Sequence, residues 1–192
     1  ELGIKETFEA WDVAPEDLEA KVATFREKGF IAACVTLPHK QAVMPLVDEL
    51  TEAGEAVGAV NWIFNRDGKL VGHNTDGTGF LRALKEKAGF DPKGVDAVVF
   101  GAGGAARAIV YALKTAGVAR LTIANRTVEK AQTLASEFSE GRFKPTAIGM
   151  SRDELSNYVP YATLLVNTTS LGMAGGPAEL ATPATADMIS AD

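Results

Sequence analysis

Val98-Val99-Phe100-Gly101-Ala102-Gly103-Gly104-Ala105-Ala106-Arg107-Ala108 is an apolar run that breaks into glycines and resumes with helical spacing. The pattern reads as strand, tight turn and helix. Gly101, Gly103 and Ala106 match G-x-G-x-x-[GA], in which small residues permit the turn and let the backbone approach a pyrophosphate, whose charge the helix N-terminus stabilises. Ala102, Gly104 and Ala105 complete that turn. The glycines alone would also suit an ordinary βα turn of a doubly wound sheet.

About one helix later, Leu121-Thr122-Ile123-Ala124-Asn125-Arg126-Thr127 is a second short apolar run. It ends where an acid usually holds the adenine ribose 2′-hydroxyl, and here that acid is missing. Asn125, Arg126, Thr127 and, one turn further, Lys130 offer neutral and cationic donors instead, which suits a 2′-phosphate and so NADP over NAD. Thr127 also reads as a helix N-cap. The two uses are compatible, because capping takes the hydroxyl and leaves the Arg126 guanidinium free.

Upstream, Phe8-Glu9-Ala10-Trp11-Asp12-Val13 alternates as a half-buried strand does. Pro15 suits the first turn of a helix through Leu18, Val22 and Phe25, with Gly29 as its stop. Ile31 to Thr36 reads as a buried strand with Cys34 as a small core residue, so strand, helix and strand predict a right-handed βαβ unit. Pro38 stiffens the exit from that strand and leaves Thr36 and Lys40 directed into a cleft at its C-terminal edge. A solvated charge is the plainer reading of a lone lysine, and His39 reads as equally plain. Residues 43–55 read as an acidic helix. Gly58 to Phe64 resumes a strand, Asn65-Arg66-Asp67-Gly68 turns a hairpin, and Lys69 to His73 returns. Asn61 and Asn74 stand at strand edges, where such side chains close turns. Asp76 opens a helix through Phe80, Leu81 and Leu84 that ends near Gly89, with N-capping as its alternative role. The domain boundary falls near the start of this helix, giving residues 1–78 and 79–192.

Downstream, the spacing predicts a helix over Val128 to Phe138, a short strand near Lys144 to Ile148, a short helix over Asp153 to Tyr158 and a buried strand over Thr163 to Asn167. Thr168, Thr169, Ser170 and Met173 then leave the C-terminal edge beside the glycine turn, where hydroxyls can meet the nicotinamide half.

Alternating strand and helix patterns over 192 residues predict an α/β protein of one large or two modest domains. The net formal charge of −6 argues against nucleic acid or an anionic membrane as a partner. One cysteine allows no internal disulfide and suits a reducing cytoplasm. No segment has the uninterrupted apolar length of a membrane helix, so the expectation is a soluble protein. No His/Cys/Asp/Glu spacing suggests a metal.

Assembled in order, these residues resemble the shikimate dehydrogenases, including their quinate/shikimate relatives, over nearly the whole chain. The resemblance rests on Val35-Thr36-Leu37-Pro38-His39-Lys40, Gly58-Ala59-Val60-Asn61, Asn74-Thr75-Asp76-Gly77, Gly101-Ala102-Gly103-Gly104-Ala105 and Asn125-Arg126-Thr127, supported by Asn167-Thr168-Thr169-Ser170-Leu171-Gly172-Met173. It implies an N-terminal α/β substrate domain followed by a Rossmann-like, doubly wound NADP-binding domain. It implies NADP-dependent, reversible reduction of 3-dehydroshikimate to shikimate, with Lys40 and Asp76 as the catalytic pair and Thr36 and Asn61 on the hydroxylated ring. Oxidising a secondary alcohol needs a proton acceptor while the nicotinamide takes the hydride, which is work for such a pair. A homodimer is compatible with this reading. Alternatives are a quinate/shikimate enzyme using NAD, a related amino-acid or methylene-folate type dehydrogenase, and a sensor that binds the metabolite without turnover. Retention of both Lys40 and Asp76 argues against the sensor. Cys34 stands where the family usually has Asn, and Trp62 where it usually has Thr. The family's first strand, with paired serines for the substrate carboxylate, and its C-terminal helix are expected to be missing, so that the chain is an internal fragment, incomplete at both ends.

Overall fold

The computed structural model describes residues 7–175 and 178–189, which form two four-stranded sheets in succession. The first contains β1 (Ala32–Cys34), β2 (Glu49–Leu50), β3 (Trp62–Arg66) and β4 (Lys69–His73) in the order β1-β3-β4-β2. β3 runs antiparallel to both β1 and β4, and β2 runs parallel to β4. The hairpin pairs Arg66 with Lys69, so only Asp67 and Gly68 turn it. Their φ values of +54° and +88° are those a two-residue hairpin turn demands. α1 (Leu18–Thr24) follows a 3-10 turn opened by Pro15 and buries Leu18 and Val22, with Phe25 just beyond it, against Ala33, Ile63 and Leu70.

The second sheet contains β5 (Asp96–Phe100), β6 (Arg120–Ala124), β7 (Thr146–Ile148) and β8 (Leu164–Asn167), all parallel, in the order β7-β6-β5-β8. Between the sheets lies α3 (Asp76–Ala88), ended by Gly89 at φ +61°. α4 (Gly104–Ala116) and α5 (Val128–Phe138) pack Ile109, Val110, Leu113, Leu134 and Phe138 on one face of this sheet. Leu155 of α6 (Arg152–Leu155), with Val159, covers Val98 and Phe100 on the other. The strand order switches at β5, with β6 and β7 on one side and β8 on the other, and such a switch point leaves a crevice at the carboxyl ends of the strands.

Five expectations change. Phe8 to Val13 forms no strand: it pairs with nothing among the described residues and stays largely exposed, with Trp11 stacked on Phe25 and Lys21 over its ring. The predicted βαβ unit is therefore not formed, and β1 takes an antiparallel partner instead. Cys34 is exposed, because in a three-residue strand only Ala33 faces the core. Residues 43–55 are not one helix: a 3-10 turn over Met44–Leu46 and the strand β2 precede α2 (Glu52–Val57), which Thr51 caps through Oγ1 on the Gly54 N–H at 3.2 Å. The predicted burial of Thr163 to Asn167 is only partial, since β8 is an edge strand among the described residues.

Candidate active site

The ends of β1 and β4 and the start of β3 share one edge of the first sheet, because antiparallel pairing sets Cys34 opposite Trp62 and Trp62 opposite His73. Lys40, Asn61, Asn74 and Asp76 gather there. Lys40 Nζ donates to Asp76 Oδ2 at 2.6 Å, with the two side chains 17% and 26% exposed. Asn61 Nδ2 donates to the other carboxylate oxygen, Oδ1, at 2.7 Å and to Thr75 Oγ1 at 2.9 Å. Its own Oδ1 accepts the Thr75 N–H at 2.9 Å. Asn74 Oδ1 accepts the Asp76 N–H at 3.0 Å while its Nδ2 donates to the Ala59 carbonyl at 2.9 Å. Asp76 thus caps nothing: it is the first residue of α3, and its carboxylate is divided between a cation and an amide.

The backbone makes this edge rigid. The Val60 N–H donates to the Lys40 carbonyl at 2.7 Å and the Val35 N–H to the Asn61 carbonyl at 2.8 Å. His39, with no chemistry expected of it, bonds the Val13 carbonyl through Nε2 at 2.8 Å and ties the N-terminal segment to this loop. Thr36 is exposed one residue beyond the Val35–Asn61 bond, at the same edge. Asn61 is only 6% exposed with both polar atoms engaged, so its visible work is to hold Asp76 and Thr75.

The glycine turn lies against this edge. A Cβ on Gly104 would come within 2.8 Å of Lys40 Cβ, so α4 begins in direct contact with the lysine. Gly101, at φ +111°, admits no side chain because Thr168 fills the space. Thr168 Oγ1 donates to the Phe100 carbonyl at 2.6 Å, and Asn167 Oδ1 accepts Thr169 N–H and Oγ1 at 2.9 and 2.7 Å, so these hydroxyls shape the loop. Ser170 and Met173 are exposed on it.

A dinucleotide suits what the turn leaves open. Gly103 is the N-cap of α4 and has no side chain to satisfy the first N–H groups, and a Cβ there would meet nothing within 4 Å. Beside it a cleft of about 470 Å³ brings together Ala102, Gly103, Asn125, Arg126, Thr127 and Lys130. Arg126 and Lys130 are exposed and in no ion pair among the described residues, as an anion site requires. Thr127 makes no capping bond with its hydroxyl; instead Asn125 Nδ2 donates to its carbonyl at 2.8 Å. Gln41, Arg107 and Glu137 line the same cleft and escaped the sequence reading. Gln41 had a signal, being next to Lys40; Glu137 had none. No group of residues able to hold a metal occurs among the described residues.

Comparison with known proteins agrees with this geometry. The family described as shikimate dehydrogenase substrate binding domain matches residues 1–63, and the one described as shikimate / quinate 5-dehydrogenase matches residues 83–171. A shikimate dehydrogenase (NADP(+)) of Methanopyrus kandleri is 48% identical over 174 residues, which are 90% of this chain and 60% of that protein. The shikimate 5-dehydrogenase of Thermus thermophilus, solved in complex with NADP(H) and shikimate, superposes with a TM-score of 0.80 at 36% identity, covering 98% of this chain and 65% of that one. Quinate dehydrogenase of Corynebacterium glutamicum, solved with NAD, gives a TM-score of 0.77 at 33% identity, covering 91% of this chain and 61% of that one. The chain therefore spans about 60% of the length of the curated relative. Two successive matches to models of one enzyme family, over residues 1–63 and 83–171 and in the order the two sheets follow, place this chain in the shikimate dehydrogenase family.

Proposed function

We propose that the protein to which this chain belongs reduces 3-dehydroshikimate to shikimate reversibly with NADP. The observation that carries this is the Lys40–Asp76 pair at 2.6 Å, set against the first residue of the helix that follows the glycine turn. The dinucleotide supplies or takes the hydride when bound. Lys40 Nζ gives a proton to the carbonyl oxygen in reduction and takes it from the hydroxyl in oxidation, and Asp76 holds the ammonium in one orientation. Thr36 and Asn61 are assigned to the ring hydroxyls, which a site built of hydrogen-bonding groups separates strongly from analogues that lack them. Asn61 then serves ring and carboxylate from one place. Gly101 to Ala105 take the pyrophosphate, Asn125, Arg126, Thr127 and Lys130 the 2′-phosphate, and the loop of Thr168, Thr169, Ser170 and Met173 the nicotinamide end.

The reading divides the chain at about residue 78, between a substrate unit and a nucleotide unit. It extends to a cytoplasmic enzyme of aromatic amino acid biosynthesis, with a small-molecule substrate and no nucleic-acid or membrane partner. The net charge of −6, the single cysteine and the lack among the described residues of a helix long and apolar enough to cross a membrane support that part. A homodimer fits the same reading, and light scattering on the full-length protein measures it. Turnover of shikimate by the full-length protein, followed by nucleotide absorbance with NADP and with NAD, tests the whole. Preference for quinate with NAD would move the assignment to the quinate branch, and binding of both ligands without turnover would make the protein a sensor.

A further inference from the structure

α2 ends at Val57, whose carbonyl is among those a helix C-terminus leaves without an intrahelical partner. Arg107, one turn into α4, supplies that partner: its Nε donates to Val57 O at 2.8 Å. Among the described residues this is the one hydrogen bond that joins residues 7–90 to residues 91–189. The next residue, Gly58, turns at φ +66° and a Cβ on it would collide with the guanidinium. On its other side the guanidinium pairs with Glu137 Oε2 of α5 at 2.5 Å and stands 5.6 Å from the Phe138 ring centre. The Arg107 side chain is 14% exposed. Val57, Ala59 and Ala108 pack together as a small apolar cluster across the same contact.

We propose that Arg107 is a positioning residue that fixes the edge bearing Lys40, Asn61 and Asp76 relative to the dinucleotide turn; this rests on the dehydrogenase reading. The grip on Val57 falls four residues before Asn61, which holds Asp76, and three before Val60, whose N–H holds the Lys40 carbonyl. An apolar side chain would fill the same space, but apolar surfaces set no register. A planar fork that serves a carbonyl and a carboxylate together does. Register matters because hydride transfer needs the reacting atoms about 3–3.5 Å apart, and a misplacement of about 1 Å costs on the order of a hundredfold in rate. The two reacting partners here are held by different sheets.

The test compares the full-length enzyme with R107M and R107K, using NADPH carrying deuterium at the transferred position. For R107M the expected result is NADP affinity within about twofold of the parent, kcat down about tenfold or more at saturation, and a larger isotope effect on kcat, because hydride transfer has become slow. Amide exchange should quicken at residues 58–61 and not in β5 or β6. R107K keeps the charge without the fork and should recover part of kcat; if R107M does not fold, R107K carries the same comparison. Parental kcat and isotope effect in the folded variant would overturn the proposal. So would weakened NADP binding with kcat intact, which would make Arg107 a phosphate ligand of the cleft. If the parent enzyme itself fails to turn over shikimate, the dehydrogenase reading falls, and exchange at 58–61 still decides whether Arg107 bridges the units.

Discussion

Asp76 is bonded on both carboxylate oxygens, by Lys40 at Oδ2 and by Asn61 at Oδ1, and through its N–H by Asn74. That division predicts how variants differ. Asp76→Asn keeps the shape but removes the charge that orients Lys40, so kcat should fall by about 10²–10⁴-fold with NADP affinity unchanged, and Lys40→Met should do the same. If the two act as one unit, as proposed, the double variant should lose scarcely more than either single one, and additive losses would separate them. Asn61→Ala strips a partner from the Thr75 N–H and from the carboxylate, at a cost of about 1–3 kcal/mol by denaturant melt. Arg126 is exposed, so Arg126→Ala should leave the fold intact. Titration should show NADP weakened by about one to two decades, the worth of a charge-assisted phosphate contact, and NAD hardly at all. Equal losses for both nucleotides would remove Arg126 from the 2′-phosphate.

α3 and α4 cross with glycine between them, and that contact seats Asp76. A Cβ on Gly77 would stand 2.8 Å from the Ala108 carbonyl oxygen, which is backbone and has nowhere to go. A Cβ on Gly79, in the same helix, would meet nothing within 4 Å. Gly77→Ala should therefore cost about 1–3 kcal/mol as overpacking, whereas Gly79→Ala should gain about 0.5–1 kcal/mol from helix propensity. Two thermal melts settle the sign of each. The elements that were legible are those coded locally: the strand, turn and helix at Val98 to Ala108, the Asp67-Gly68 hairpin, and the helix stop at Gly89. Those that misled depend on distant partners. β2 is two residues long and exists only through pairing with β4, and Phe8 to Val13 carries a strand's alternation without a strand beside it. In the site, motif order pointed to Lys40 and Asp76, which the structure pairs, and to Asn125, Arg126, Thr127 and Lys130, which line one cleft, whereas it was silent on Arg107. It sits among Ala106, Ala108 and Ile109, and nothing local says that its guanidinium reaches α2.

Over the whole molecule, several carboxylates are held below their usual range by partners that favour the ionised form. The Arg120 guanidinium does this to Asp96, the Arg26 guanidinium and the Leu70 N–H to Asp48, and the Lys69 ammonium to Glu49. Glu154 is held down by a different kind of partner, the Ser151 hydroxyl at 2.6 Å and the Gly149 N–H at 2.9 Å, with no cation among the causes. The sign is common to all: a carboxylate with a lowered folded-state pKa contributes stability that is present above its unfolded value of about 3.9–4.3 and is lost as pH falls through the folded one. The melting temperature of the full-length protein should thus hold level down to about pH 5 and drop below about pH 4. Salt separates the two kinds of partner, since the Debye length shrinks to about 3 Å at about 1 M and exposed ion pairs are screened, while hydrogen bonds from neutral groups are not. Asp96→Asn should flatten the acid limb at low salt and change little at high salt. Glu154→Gln should flatten it at both. If high salt abolished the effect of Glu154→Gln as well, the carboxylate would be answering to a distant charge, and the Ser151 and Gly149 donors would not be what holds its proton off.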